Sequence, residues 1–223
     1  MNYFAHAYRF LDDPYFAAGT GVPDWLTVCD RAVRVRARHV EAAMPDLCGR
    51  EAAVAAGARQ HLRDDGRFHE TACFVESVVV LAGMIRQVLP DDSTVRPGFL
   101  GHLLLELLLD SSLIADNPSL LDEYYRAMDR VDPLEVQEVV NRLAPRPTSR
   151  LAPFMHAFCK ARILWDYLAD ATLLVRVNQV MRRVRLDPVP PAVADILPDA
   201  RRLVAQRREL LLDGIPTPQP VAA

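Results

Sequence analysis

The residues with the clearest chemical potential lie in the run Gly101-His102-Leu103-Leu104-Leu105-Glu106-Leu107-Leu108-Leu109-Asp110. An α-helix turns about 100° per residue, so residues four apart share a face with a slow drift. His102, Glu106 and Asp110 therefore project along one stripe of a helix that is otherwise leucine. Charged groups inside an apolar helix are costly unless they are paired, hydrogen-bonded or bound to an ion. Leucine on the remaining faces predicts a central, enclosed helix rather than one whose polar stripe simply faces water.

A second set, His61, Asp65 and His69, keeps the same four-residue spacing across Gly66. Imidazole and carboxylate donors without a thiolate suit Mn²⁺, Fe²⁺ or Zn²⁺ and argue against a purely structural zinc. Two helices bearing such donors can close around one or two ions, as in helical-bundle metalloenzymes. The expected ligands are His61, Asp65, His102, Glu106 and Asp110, with His6, Asp24 and His69 as further members. The ordinary alternatives are a hydrogen-bonded core histidine for His6 and a helix N-cap for Asp24. An ion held there would acidify a bound water, which Asp65 or Asp110 would position or deprotonate. Arg59, Arg63 and Arg67, beside the second set, are candidate binders of phosphate or of an acidic protein surface, or else a solvated arginine face. His39 and His156 have no acidic partner at helical spacing and are expected to be structural.

The elements that must position these residues are helical, punctuated by proline. The pattern predicts a short helix over Asn2–Leu11 and a turn-rich connection over Tyr15–Leu26, where Gly19, Gly21 and Pro23 fall. Val33 to Arg38 alternates apolar and charged like a strand, but it has no partner strand and is expected to be helix or loop. Helices are predicted over Glu51–Asp65 and Glu70–Leu89, and from Pro97 to about Asp116. Others start at Pro118 and Pro133, where the first helical turn accepts proline. Pro145 and Pro147 mark a linker before a long helical stretch from Ser149 to about Arg185. Residues 1–185 are expected to form one helical domain carrying the metal site. A C-terminal helix within 186–213 should pack on it, and 214–223 should be a disordered tail.

Composition narrows the class. The chain has 223 residues, 51% apolar and 25% charged, with a net charge of -3. That is the profile of a globular protein with a full core and gives no electrostatic case for nucleic acid as a partner. Positive charge is almost all arginine, Lys160 being the only lysine. Cys29, Cys48, Cys73 and Cys159 form no C-x-x-C pair, so buried free thiols in a reducing cytosol are expected. The N-terminal residues do not read as a signal peptide, and the run from Phe99 to Leu109, interrupted by His102 and Glu106, is too short for a membrane span. A cytoplasmic protein is expected. Nucleotide-loop, dinucleotide and serine-hydrolase motifs are absent from the sequence.

These pieces fall in an order that resembles the acyl carrier protein phosphodiesterase family, helical metal-dependent enzymes related to the His-Asp (HD) phosphohydrolases. The resemblance is carried by Met1-Asn2-Tyr3-Phe4-Ala5-His6-Ala7, by Gly21 to Asp24, by Gly57 to Asp65 and by Glu106 to Ala115. Trp165 to Leu168 and Arg176 to Arg183 add to it, so it extends over most of residues 1–185. It implies an all-α, HD-phosphohydrolase-like bundle, a divalent metal (commonly Mn²⁺), and release of phosphopantetheine from a holo acyl carrier protein. Two positions depart from the family pattern: Ser111 stands where it has histidine, and His69 where it has aspartate. His102 is the candidate to supply the imidazole that Ser111 lacks. The alternatives are a phosphohydrolase acting on another small phosphodiester or nucleotide, and a non-catalytic helical binding protein with a degenerate metal site.

Overall fold

Four helices have proline as their first residue, where the missing N–H would have had no partner anyway. They are α2 (Pro14–Cys29), α6 (Pro97–Asp116), α7 (Pro118–Met128) and α8 (Pro133–Leu143). The computed structural model describes residues 1–90, 92–213 and 215. Around these four lie α1 (Tyr3–Ala7), α3 (Ala37–Ala43), α4 (Gly49–Glu70), α5 (Ala72–Val88), α9 (Leu151–Ala161), α10 (Asp170–Arg183) and α11 (Leu197–Leu212). Short 3-10 turns at Met44–Asp46, Ile163–Leu168 and Pro191–Ile196 join some of them. Among the described residues the chain is all helical, with no strand.

Several elements differ from the sequence expectation. The segment expected to be turn-rich is a single helix, α2, which runs through Gly19, Gly21 and Pro23. The cause is tertiary. A Cβ at Gly19 would lie 2.3 Å from the Val54 carbonyl oxygen, and one at Gly57 would lie 2.1 Å from the Phe16 carbonyl oxygen. Glycine at both positions lets the backbones of α2 and α4 touch, and that contact repays the poor helix propensity. Helix α1 is shorter than expected, ending at Ala7. The long helix predicted from Ser149 is broken at Arg162, whose φ of 46° is left-handed, and resumes at Asp170. Val33 and Val35 are buried in an extended segment while Arg34 and Arg36 face water, so the alternating pattern reports a strap laid across the core. The cysteines are unpaired, but Cys48 is exposed and the other three are only partly buried.

Helix α6 is long and apolar enough to cross a membrane, yet it lies within the bundle, packed against α5, α11 and the Ile163–Leu168 turn. Its leucines Leu100, Leu104, Leu105, Leu107, Leu108 and Leu109 are buried. Helix α11 packs on α6 and α5, and α1 packs on α2 and α6. The expected tail, 214–223, lies outside the described residues except for Ile215, whose carbonyl accepts a hydrogen bond from Arg9 at 3.2 Å.

Candidate metal centre

Helices α1, α4 and α6 bring imidazoles and carboxylates to one place. His6, His61 and Asp65 have one ligand-type atom each within 4.8 Å of the others, and the same holds for His69, His102 and Glu106. The first group, the inner triad, includes two histidines that are fully buried; the second, the outer triad, is part-exposed. The α-amino group of Met1 joins them, at 2.7 Å from Asp65 Oδ1 and 3.1 Å from Glu106 Oε1.

Each inner ligand is aimed by its helix. His61 Nδ1 donates to the Thr20 carbonyl oxygen on α2 at 2.8 Å, which leaves Nε2 as the acceptor facing Asp65 Oδ2 at 3.8 Å and Asp24 Oδ1 at 3.9 Å. Fixing one imidazole nitrogen on a backbone carbonyl is the usual way to orient the other as a ligand. His6 stacks on His61 with ring centroids 3.9 Å apart. Its Nε2 lies 3.3 Å from Asp65 Oδ1 and its Nδ1 3.9 Å from Asp64 Oδ2, but neither nitrogen is aligned for a hydrogen bond. A buried imidazole without an aligned hydrogen bond is costly, and Asp64 and Asp65 offset that cost for His6 only as an ion pair. Asp64, which the sequence reading passed over, is buried and accepts from Gln60 Nε2 at 2.7 Å.

Electrostatics separate the groups. Burial pushes the Asp65 and Glu106 carboxyls up, but the groups around them outweigh it and hold both below the usual carboxylate range. For Asp65 these are the hydrogen-bonding His6, the Met1 ammonium and the His61 imidazole; for Glu106 they are the ammonium and the His102 and His69 imidazoles. Burial also acts against the charged form of His6, yet Asp64 and Asp65 raise it overall. His61 is lowered by burial and by the His6 charge. Asp24 is pushed up to about 7 by burial, with Asp65 and Glu106 adding to it.

The stripe His102, Glu106, Asp110 does not form one site. It runs from solvent into the core: the side chains are 43% and 18% exposed at His102 and Glu106, and Asp110 is fully buried. Asp110 Oδ2 accepts from Phe4 N at 3.0 Å and Oδ1 from Ala5 N at 2.7 Å, so both oxygens are engaged at the start of α1. That placement anchors the helix carrying His6, in contrast to the expected role as ligand and catalytic carboxylate. Burial pushes its carboxyl up to about 7, because the two backbone donors only partly compensate.

Arg59, Arg63 and Arg67 lie roughly 160–240° around α4 from His61, on the face turned away from the ligands. Arg63 and Arg67 are exposed and Arg59 is partly buried. Besides the Met1 ammonium, a cation beside the site is Arg34, on the strap between α2 and α3. It lines a cleft of about 200 Å³ whose walls include Asp24, Leu26, Leu62, His61 and Asp65. Only the outward position of Arg34 in the alternating run signalled this in the sequence. Ser111 also has its own place: its hydroxyl donates to the Tyr167 carbonyl at 2.9 Å and accepts from Arg201 Nη1 at 2.6 Å, tying α6 to α11.

Compared with protein-family models, curated proteins and solved structures, the chain matches none.

Proposed function

We propose that this chain is a divalent-metal-dependent phosphodiester hydrolase of the acyl carrier protein phosphodiesterase kind, acting on a phosphopantetheine-bearing carrier protein. The observation that carries the reading is the inner triad: two buried imidazoles and a carboxylate converge, and His6 has no hydrogen-bond partner. The donor set fits a borderline divalent ion such as Mn²⁺, Fe²⁺ or Zn²⁺, with Mn²⁺ favoured by the sequence resemblance. His6, His61 and Asp65 would hold it, and Asp24 faces the same space. Such an ion supplies charge neutralisation at a phosphoryl oxygen and acidifies water.

The chain's own groups do the rest. Thr20 fixes the tautomer of His61, and Asp110 fixes α1 and with it His6. Val33 and Val35 hold the strap down, so that Arg34 sits at the rim of the cleft. A guanidinium there is suited to a non-reacting phosphoryl oxygen, since its planar donors match an oxyanion.

A second reading is a metal-free helical binding protein. It is favoured by the hydrogen bonds that Met1, His69 and His102 make to Glu106, and by the Met1 bond to Asp65, which already neutralise both carboxylates. Elemental analysis and Mn²⁺ titration of purified protein, wild type beside His61→Ala, separate the two. The hydrolase reading expects stoichiometric metal lost in the variant, with turnover of a model phosphodiester or of holo carrier protein. A folded protein that binds no divalent ion would sink it.

A further inference from the structure

We infer that His69, His102 and Glu106 hold a second divalent cation beside the inner triad, an inference that rests on the metal-dependent reading above. His69 Nε2 lies 3.0 Å and His102 Nε2 3.1 Å from the same oxygen, Glu106 Oε1. Two imidazoles from different helices therefore aim the same ring nitrogen at one point. Phe74 packs edge-on against both rings, with centroids 4.8 Å from His69 and 5.0 Å from His102. Phe68 packs against His69 and Phe74. The convergence is thus built into an aromatic wall and does not depend on flexible surface rotamers.

Glu106 strengthens the case. It is mostly buried, yet no lysine or arginine side chain pairs with it among the described residues; its partners are the two imidazoles and the Met1 α-amino group. That same amino group touches Asp65 of the inner triad. One cationic nitrogen therefore already bridges a carboxylate from each triad, which makes the two triads neighbours able to serve a pair of ions. Two imidazoles with one carboxylate choose Mn²⁺, Fe²⁺, Co²⁺ or Zn²⁺ over Ca²⁺ or Mg²⁺. A hydrogen-bonded His-Glu-His trio without a metal site would take up no second equivalent.

The two sites should differ in strength. His61 is oriented by the Thr20 carbonyl, whereas His69 and His102 have no such backbone anchor among the described residues and are 32% and 43% exposed. Loss of an orienting partner typically weakens a metal site by about 10–100-fold, so the outer ion should bind more weakly by that factor. It must also compete with the Met1 ammonium for Glu106.

The test is titration of metal-free protein with Mn²⁺, read by the bound equivalents and by the electron paramagnetic resonance of the bound ions. Wild type should take up two equivalents in two phases, the second broadening the signal of the first. His102→Ala and His69→Ala should each bind one, tightly. Both side chains are part-exposed, so the variants should keep the wild-type circular dichroism and melting behaviour, and agreement between them guards against a single misfolded variant. Saturation of wild type at one equivalent, or two equivalents in His102→Ala, overturns the second site. If wild type binds one ion and hydrolyses phosphodiesters, only this inference fails; if it binds none, the metal-dependent reading fails with it.

Discussion

Replacing Gly57 by alanine isolates the contact on which the inner triad depends. The added Cβ would lie 2.1 Å from the Phe16 carbonyl oxygen, 2.9 Å from Thr20 N and 3.0 Å from Gly19 Cα, all backbone atoms of α2. No rotamer can relieve a clash with backbone, so α2 and α4 must separate. Overpacking of this kind costs about 1–3 kcal/mol and at times more, and the upper end applies where nothing flexible can yield. Alanine gains about 1 kcal/mol of helix propensity over glycine. The net loss should be about 2 kcal/mol, which for a chain of this length lowers Tm by about 4–8 °C. Gly66→Ala, on the same helix, supplies the control, because a Cβ there meets nothing within 4 Å. It should raise Tm by about 2–4 °C through the same propensity gain alone. The Gly57 variant should also bind Mn²⁺ about 10–100-fold more weakly, since moving α2 withdraws the Thr20 carbonyl from His61. Thermal unfolding by circular dichroism and calorimetric Mn²⁺ titration measure both effects. If Gly57→Ala melts at or above wild type, or tracks Gly66→Ala, the close approach of the two helices is not what positions His61.

Arg34→Ala should raise KM for a phosphodiester about 10-fold or more, the loss expected for a charge-assisted hydrogen bond, with bound metal unchanged. Arg63→Ala, on the far face of α4, should leave KM alone, and steady-state kinetics of the pair decide it. In metal-free protein, Asp110 has a folded carboxyl raised to about 7, so the folded state keeps a proton that the unfolded chain releases near pH 4. Its stabilising contribution is therefore full below about pH 4 and is lost as pH rises towards 7, by at most about 1.4 kcal/mol per unit. Denaturant unfolding should show wild type losing stability relative to Asp110→Asn across that range; a pH-independent difference refutes the shift. Ser111→His should lower stability by about 2–4 kcal/mol, because it forces a ring into a buried clamp and breaks the Tyr167 and Arg201 bonds. Calorimetric unfolding should register that loss, while metal analysis should show no ligand gained.

Much of the architecture was legible because it is local. Prolines at 97, 118 and 133 open helices since a first-turn proline sacrifices no hydrogen bond, and four-residue spacing puts His61 with Asp65 and His102 with Glu106 on shared faces. The same rule already turned Arg59, Arg63 and Arg67 away from His61, although chain proximity suggested otherwise. Other features were not legible, because no local signal encodes them. Gly19, Gly21 and Pro23 disfavour a helix in isolation, and α2 exists because Gly19 admits the α4 backbone. The break at Arg162 has no glycine to announce it.

By itself the sequence determined that the chain is helical and which donors share a helix face, because the helical period depends only on residues a few positions apart. It could not determine which helices meet. Burial deepening along α6 took Asp110 out of the ligand stripe and set it at the start of α1. Packing of α1 on α2 and α6 brought His6 to Asp64 and Asp65 and the Met1 ammonium between Asp65 and Glu106. A ligand set is a convergence of side chains from distant parts of the chain, and only the packing of apolar faces fixes where such residues come together.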